Sequence, residues 1–317
     1  MKVIFDTDPG IDDAMALLYL SKLPELELLG ITTVVGNADI ATTTRNALFL
    51  RERFGIAAPV IRGAGEALDG LVKPEPVIVH GHNGLGDIDI PAVDETGLQP
   101  GEAFQFIIDT LRAHPGEVTI IAVGRMTNLA LALRQDPDIA GLARQVVIMG
   151  GAFGYVGRSG NITPAAEANI HGDPVAADEV FAAGWPVVVV GLDVTHDIIL
   201  TSEYLAALSD EAGANGELLR QMSDHYARFY QEIMGLSGVV GHDLLAVTYA
   251  LRPDWFETRQ GPICVVCDGI AVGQTIQMPS TRKGGHPAWA NRPAHLVCTA
   301  VNADAVLQHY RETVTGR

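Results

Sequence analysis

Across the first two-thirds of the chain, apolar, β-branched runs alternate with helical patterns, and this constrains the fold more than any other feature. The runs lie at 3–5, 28–35, 118–123, 146–149 and 186–192, and the helical stretches at 12–23, 41–54, 101–113, 128–134 and 174–183. A strand that is apolar at every position is buried on both faces. Such strands, separated by helices, build a parallel sheet covered on both sides, which holds its ligand beyond the carboxyl ends of its strands. Past residue 200 the pattern changes. Helices are expected at 215–236 and 242–251, short antiparallel or edge strands at 263–267, 271–278 and 294–300, and a closing helix at 303–313. The expected fold is therefore α/β: a mostly parallel, Rossmann-like central sheet flanked by helices, with a few antiparallel strands near the C-terminus. No repeat, low-complexity tract or linker breaks the 317 residues, so a single domain over 1–317 is expected.

Acidic residues outnumber basic ones 38 to 21, for a net charge of −17. Binding a phosphate backbone needs clustered Lys and Arg, so neither nucleic acid nor an anionic membrane is an expected partner. No apolar run reaches the length of a membrane span, and no signal-peptide pattern precedes the first aspartate; the expected location is cytoplasmic. Three cysteines do not make a disulfide framework. Cys264 and Cys267, in the apolar stretch PICVVC, are expected to be core thiols.

Polar residues gather where the strands end. Asp6 and Asp8 follow the first run, Asn37 the second and Thr127 the third; Met149 opens MGGAFG after the fourth, and Asp193 and His196 follow the fifth. In a parallel sheet these five clusters share one rim. The first is the most informative, because DTDPGIDD packs Asp6, Asp8, Asp12 and Asp13 into one short segment. A helix N-terminus accounts for one or two of them. Four carboxylates this close repel one another and take up protons unless a cation neutralises them. Oxygen-only ligands suit a hard ion, Ca²⁺ or Mg²⁺. Two chemistries compete. Phosphoryl transfer of the haloacid-dehalogenase type opens with DxDx[TV], which would put Gly10 where Thr or Val belongs. Attack of water on a sugar carbon instead needs polar residues that grip a polyol.

GNITPAAEANIHGDP offers such a grip in Asn161, Glu167 and Asn169, whose donors and acceptors match sugar hydroxyls. Alone, it reads equally as a polar loop before a helix. With the opening segment it does more. The chain resembles the nucleoside hydrolases, the inosine–uridine-preferring family: the opening matches DxDPGxDD, and TTVVGN, MTNLA, VIMGG, AEAN…DP, GLDVTH and GHD follow in the family's order over nearly the whole length.

The resemblance implies the nucleoside hydrolase fold and Ca²⁺-dependent hydrolysis of a small-molecule ribonucleoside to ribose and free base, by direct attack of water with inversion. It implies a Ca²⁺ held by Asp8, Asp13, Asp243 and the main-chain oxygen of Thr127, with Asp8 also acting as general base. Asp12, Asn37, Asn161, Glu167 and Asn169 match ribose-holding positions, and Met149 a pocket-lining one. His242 matches the side chain that protonates the leaving base, and His80 a position on the base side. A homodimer or homotetramer is expected from the same resemblance. Tyr226 and Tyr230, one helical turn apart, could cover the base, relay a proton, or only pack. Asp193 and His196 are expected to be supporting residues. Two positions depart from the family pattern: Ala168 stands where an aromatic is frequent, and Arg125 where a small residue or Pro is. Three alternatives stay open: a hydrolase of a modified nucleoside or ribosylated cofactor, a nucleoside-binding protein without turnover, and the metal-dependent phosphohydrolase.

Overall fold

In a computed structural model, which describes residues 1–70, 76–280 and 287–317, the first apolar run becomes β1 (Lys2–Thr7) at the middle of a large sheet. Its side chains divide by parity. Val3 and Phe5 enter one core and Ile4 the other, so both faces are dry. The chain then runs through α1 (Ile11–Lys22), β2 (Glu27–Thr33), α2 (Ile40–Phe54), β3 (Val60–Ile61), α3 (Val77–His80) and β4 (Leu98–Gln99). Next come α4 (Ala103–Ala113), β5 (Val118–Ala122), α5 (Thr127–Gln135), β6 (Gln145–Met149), α6 (Ala168–Gly172), α7 (Pro174–Ala182) and β7 (Val187–Val190). The last part holds α8 (Leu192–Thr195), β8 (Ile199–Thr201), α9 (Ser202–Met234), β9 (Gly238–Val240), α10 (Leu244–Leu251), β10 (Phe256–Val265), β11 (Thr275–Gln277), β12 (Ala294–Val301) and α11 (Ala303–Thr315).

The sheet order is β11-β10-β12-β7-β6-β5-β1-β2-β3-β4. Strands from β4 to β12 along that order pair in parallel, and β10 runs antiparallel to both neighbours. From β1 the chain builds outward through β2 to β4, then returns to the other side of β1 for β5 to β7. That reversal opens a crevice at the carboxyl end of β1, where such sheets bind ligands. Helices α1, α2, α9, α10 and α11 cover one face, and α4, α5 and α7 the other. No helix among the described residues is long and apolar enough to cross a membrane.

The central elements fall where the sequence places them, and the short ones do not. The helix expected at 215–236 is the second part of α9, which begins at Ser202 and turns at Gly213 (φ 60°, ψ −136°). The strand expected at 271–278 shrinks to β11, because Gly269 and Gly273 adopt positive φ and fold the preceding residues into turns. Cys267 lies beyond the end of β10 and is exposed, and Cys264 is half-buried, so the expectation of two core thiols is corrected; Cys298 is the buried one. The small antiparallel sheet of β8 and β9 was not expected, and it carries the chain to His242 and Asp243.

Candidate active site

The carboxylate cluster assembles at the β1 crevice. Asp8 follows β1, Asp12 and Asp13 occupy the first turn of α1, and Asp243 precedes α10; all four are buried. Asp12, Asp13 and Asp243 each place one carboxylate oxygen within 4.8 Å of the others. Asp12, expected from the resemblance on the ribose side, thus belongs to the tightest group. Asp13 is held by three donors: the Thr7 hydroxyl, the Gly10 N–H at 2.9 Å and the Asn37 amide at 3.0 Å. Asp8 accepts the Asn37 backbone N–H at 2.8 Å through Oδ2, while its Oδ1 is buried without a hydrogen-bond partner. Two glycines make its slot. A Cβ on Gly124 would lie 2.6 Å from Oδ1, and one on Gly36 would collide with Oδ2.

Burial pushes the Asp8, Asp12 and Asp243 carboxyls well above the usual range, and mutual repulsion, from Asp13 in particular at Asp8 and Asp12, adds to it. Asp13 is raised by burial, with the hydrogen bonds from the Thr7 hydroxyl and the Gly10 N–H pulling the other way. The Arg125 guanidinium offsets only part of the effect at Asp8. Asp6 sits behind, bonded by Thr32 at 2.6 Å and Asn128 at 2.8 Å, and burial pushes it to about 7. Buried, crowded, oxygen-only ligands with one orphaned oxygen fit a hard divalent cation, which would reverse these shifts. Without the cation, the folded state holds protons that the unfolded chain releases near pH 4. Raised carboxyls stabilise the fold fully below that pH and lose their contribution as pH climbs through the folded values, to about 7 for Asp6. The metal-free protein should therefore lose Tm steadily between about pH 4 and pH 8. Added Ca²⁺ should raise Tm and flatten that slope, as thermal melts across the range would record. A metal-free Tm that rises with pH would contradict it.

A cavity of about 450 Å³ opens beside the cluster. Asp12, Asn37, Met149, Asn161, Glu167, Asn169 and Asp243 are on its wall, as are His80, Tyr226, Tyr230 and His242; Asp8, Asp13 and Thr127 are buried off it. The polyol-facing side chains are locked in place. Glu167 caps α6, accepting the N–H groups of Asn169, Ile170 and Gly151 at 2.9, 3.1 and 2.9 Å. Asn169 spends its amide N–H on the carbonyls of Val123 and Met149, and Asn161 accepts the Ala168 N–H at 3.0 Å. Thr127 opens α5 with its hydroxyl on Asp173 at 2.7 Å.

A polar chain runs along the wall that carries Tyr226, Tyr230 and His242. The His242 Nε2 lies 2.8 Å from the Tyr230 hydroxyl, which lies 3.1 Å from that of Tyr226; Nδ1 lies 2.7 Å from the Thr195 hydroxyl. Burial holds His242 well below the usual imidazole range and His80 at about 3. The His80 ring sits 5.4 Å from that of Tyr226.

Some placements differ from the sequence reading. His196, expected to support the site from behind, reaches the cavity wall, its ring 5.6 Å from that of His242. Asp193 does support: it accepts the N–H groups of Phe153 and Tyr155 at 2.8 and 2.6 Å. Arg125 is buried off the wall and packs on Gly172, while Ala168 lines the cavity. Phe229, Ile233 and Met234 were missed, although 226, 229, 230 and 233 share one helical face.

Buried carboxylates at the strand ends of a mostly parallel sheet, beside a cavity lined by amides, a glutamate and histidines, form a site of the kind a hydrolase needs. The chain belongs to the inosine-uridine preferring nucleoside hydrolase family, whose family model matches residues 3–308. These are N-glycosidases acting on ribonucleosides. It is 39% identical to uridine nucleosidase 1 of Arabidopsis thaliana over 98% of this chain and 92% of that one. Among solved structures it is similar to a plant nucleoside hydrolase, PpNRh1 (TM-score 0.95, 36% identity, 100% and 99% of the two chains covered). It is also similar to a purine-preferring ribonucleoside hydrolase from Gardnerella vaginalis (TM-score 0.91, 32% identity, 100% and 98% covered). The phosphohydrolase alternative finds no support in these relationships.

Proposed function

We propose that the protein hydrolyses the N-glycosidic bond of ribonucleosides in a Ca²⁺-dependent single displacement, releasing ribose with inversion and the free base. The observation that carries this is the buried carboxylate cluster, with its orphaned Asp8 Oδ1, opening onto a cavity fitted for a polyol. Asp8, Asp13, Asp243 and the main-chain oxygen of Thr127 would hold the cation, with Asp12 at its edge. When bound, the ion supplies positive charge that acidifies a coordinated water and orients sugar hydroxyls.

Asp12, Asn37, Asn161, Glu167 and Asn169 bind the ribose and fix its C1′ towards the floor, and Met149 packs beneath the sugar. Asp8 accepts one proton of the attacking water, whose oxygen bonds to C1′ on the face away from the base. The C–N electron pair leaves with the base, and His242 supplies the proton that the base takes up. The floor carboxylates favour the positive charge that develops on the ribose. Tyr230 and Tyr226 extend the proton path from His242 along the wall, and His80 faces the base.

The test is ribose release from uridine, inosine, adenosine and cytidine, before chelation, after it and after Ca²⁺ add-back. Release should fall at least about 100-fold on chelation and return with Ca²⁺, and polarimetry or NMR should find the inverted anomer first. Full activity in protein shown to be metal-free would overturn the reading. A second reading, a base-modified nucleoside, rests on the cavity mouth, where Ile233 and Met234 are 65% and 49% exposed beside Ile162. Base-alkylated ribosides in the same panel test it: the reading requires a higher kcat/KM than for their unmodified parents.

A further inference from the structure

We infer that Thr195 positions the proton donor: its hydroxyl holds Nδ1 of His242 from behind and so keeps Nε2 turned towards Tyr230 and the pocket. This rests on the reading above, in which His242 protonates the departing base.

The geometry is specific. Thr195 ends α8, at the carboxyl end of β7, and is fully buried. Its backbone is pinned on both sides, its N–H donating to the Gly191 carbonyl at 3.1 Å and its carbonyl accepting the Ile198 N–H at 3.0 Å. The hydroxyl cannot drift, and it meets His242 Nδ1 at 2.7 Å. Among the described residues the hydroxyl has no other hydrogen-bond partner. The ring is thus held at both nitrogens, by Thr195 behind and by Tyr230 at 2.8 Å in front. His196, the next residue along the chain, stands beside the same ring, so one short element sets the ring from behind and from the side.

An imidazole has two nitrogens of nearly equal basicity, and only one of them faces Tyr230 and the cavity. A proton leaving from Nδ1 would be lost into the core. A partner that holds Nδ1 keeps Nε2 facing Tyr230. As the glycosidic bond breaks, its electron pair moves to the base nitrogen. The base takes its proton from the Nε2 side of the ring, directly or through the Tyr230 hydroxyl, and that side faces the pocket only while Nδ1 is held by Thr195. A hydroxyl performs this role without adding a charge next to the cation site. Without it, the ring could rotate or hold its proton on the wrong side.

Thr195→Val replaces the hydroxyl with a methyl of similar shape, and Thr195→Ser restores it. The substrates are inosine, whose base needs a proton to leave, and p-nitrophenyl riboside, whose leaving group does not. Thr195→Val should lower kcat on inosine by about 10- to 100-fold, part of what general acid catalysis contributes, with KM little moved. The loss on p-nitrophenyl riboside should stay below about threefold. Thr195→Ser should recover inosine turnover to within a few-fold of the parent, which a packing defect would not allow. Equal losses on both substrates, no loss on either, or a serine variant as poor as valine would each overturn the inference. His242→Ala separates the two levels. If it parts the substrates and Thr195→Val does not, this inference alone fails. If it does not part them, the acid role fails and takes this inference with it.

Discussion

Asp8→Asn is expected to lower kcat on every ribonucleoside by more than about 10⁴-fold, because on the proposed mechanism it removes a general base and a cation ligand in one change. The substitution keeps the shape of the side chain, which matters in a slot walled by Gly36 and Gly124. It does not keep the chemistry. Oδ2 accepts the Asn37 N–H, so an amide must turn its oxygen that way and present its NH₂ where the unpartnered Oδ1 now lies. A donor there repels a cation and cannot take a proton from water. Ca²⁺ should therefore no longer raise Tm. The metal-free variant should also be more stable than the metal-free parent at pH 8, since one of four crowded carboxylates is gone. Calorimetric titration with Ca²⁺, kcat and thermal melts read all three. Parent-like Ca²⁺ affinity with kcat within tenfold would remove Asp8 from both roles.

How much of this was visible in the sequence depends on distance along the chain. β1 announces itself because its residues are apolar on both faces, and Val3, Phe5 and Ile4 do divide between two cores. The strand-end clusters converge because parallel strands share one carboxyl edge: Asn37 after β2, Met149 at the end of β6 and His196 after β7 all line one cavity. Periodicity could not say that Asp12 and Asp13, both in the first turn of α1, would both reach Asp243. Nor could it show how residues 242 and 243 reach a site built by residues 8–13. That journey depends on β8 and β9, three residues each and too short to carry an alternation signal. The first part of α9 was hidden for another reason: Gly213 reads as a boundary, yet helix already runs from Ser202; the expected helix beyond it brings Tyr226 and Tyr230 to the wall, with Phe229 and Ile233 on the same face passed over. The resemblance supplied the roles of Asp243 and His242, and the geometry supplies the reason they meet.

The second large effect is expected at His242. His242→Ala should lower kcat on inosine by about 10²- to 10⁴-fold, while p-nitrophenyl riboside, whose leaving group departs as a stabilised anion, should lose less than about tenfold. The asymmetry follows from where the ring stands. Nε2 meets the Tyr230 hydroxyl on the wall of the cavity that Asp12 and Asp243 also line, so on the proposed mechanism proton delivery and water activation are the work of different side chains. Alanine leaves Asp243 in place, so Ca²⁺ affinity should change little; it also leaves the Thr195 hydroxyl and Tyr230 without their shared partner, so some loss of Tm is expected. That loss is common to both substrates and cancels in their ratio. The ratio therefore isolates proton delivery from damage to the fold. Equal losses on the two substrates, with Ca²⁺ still bound, would show that the base leaves without a proton from His242.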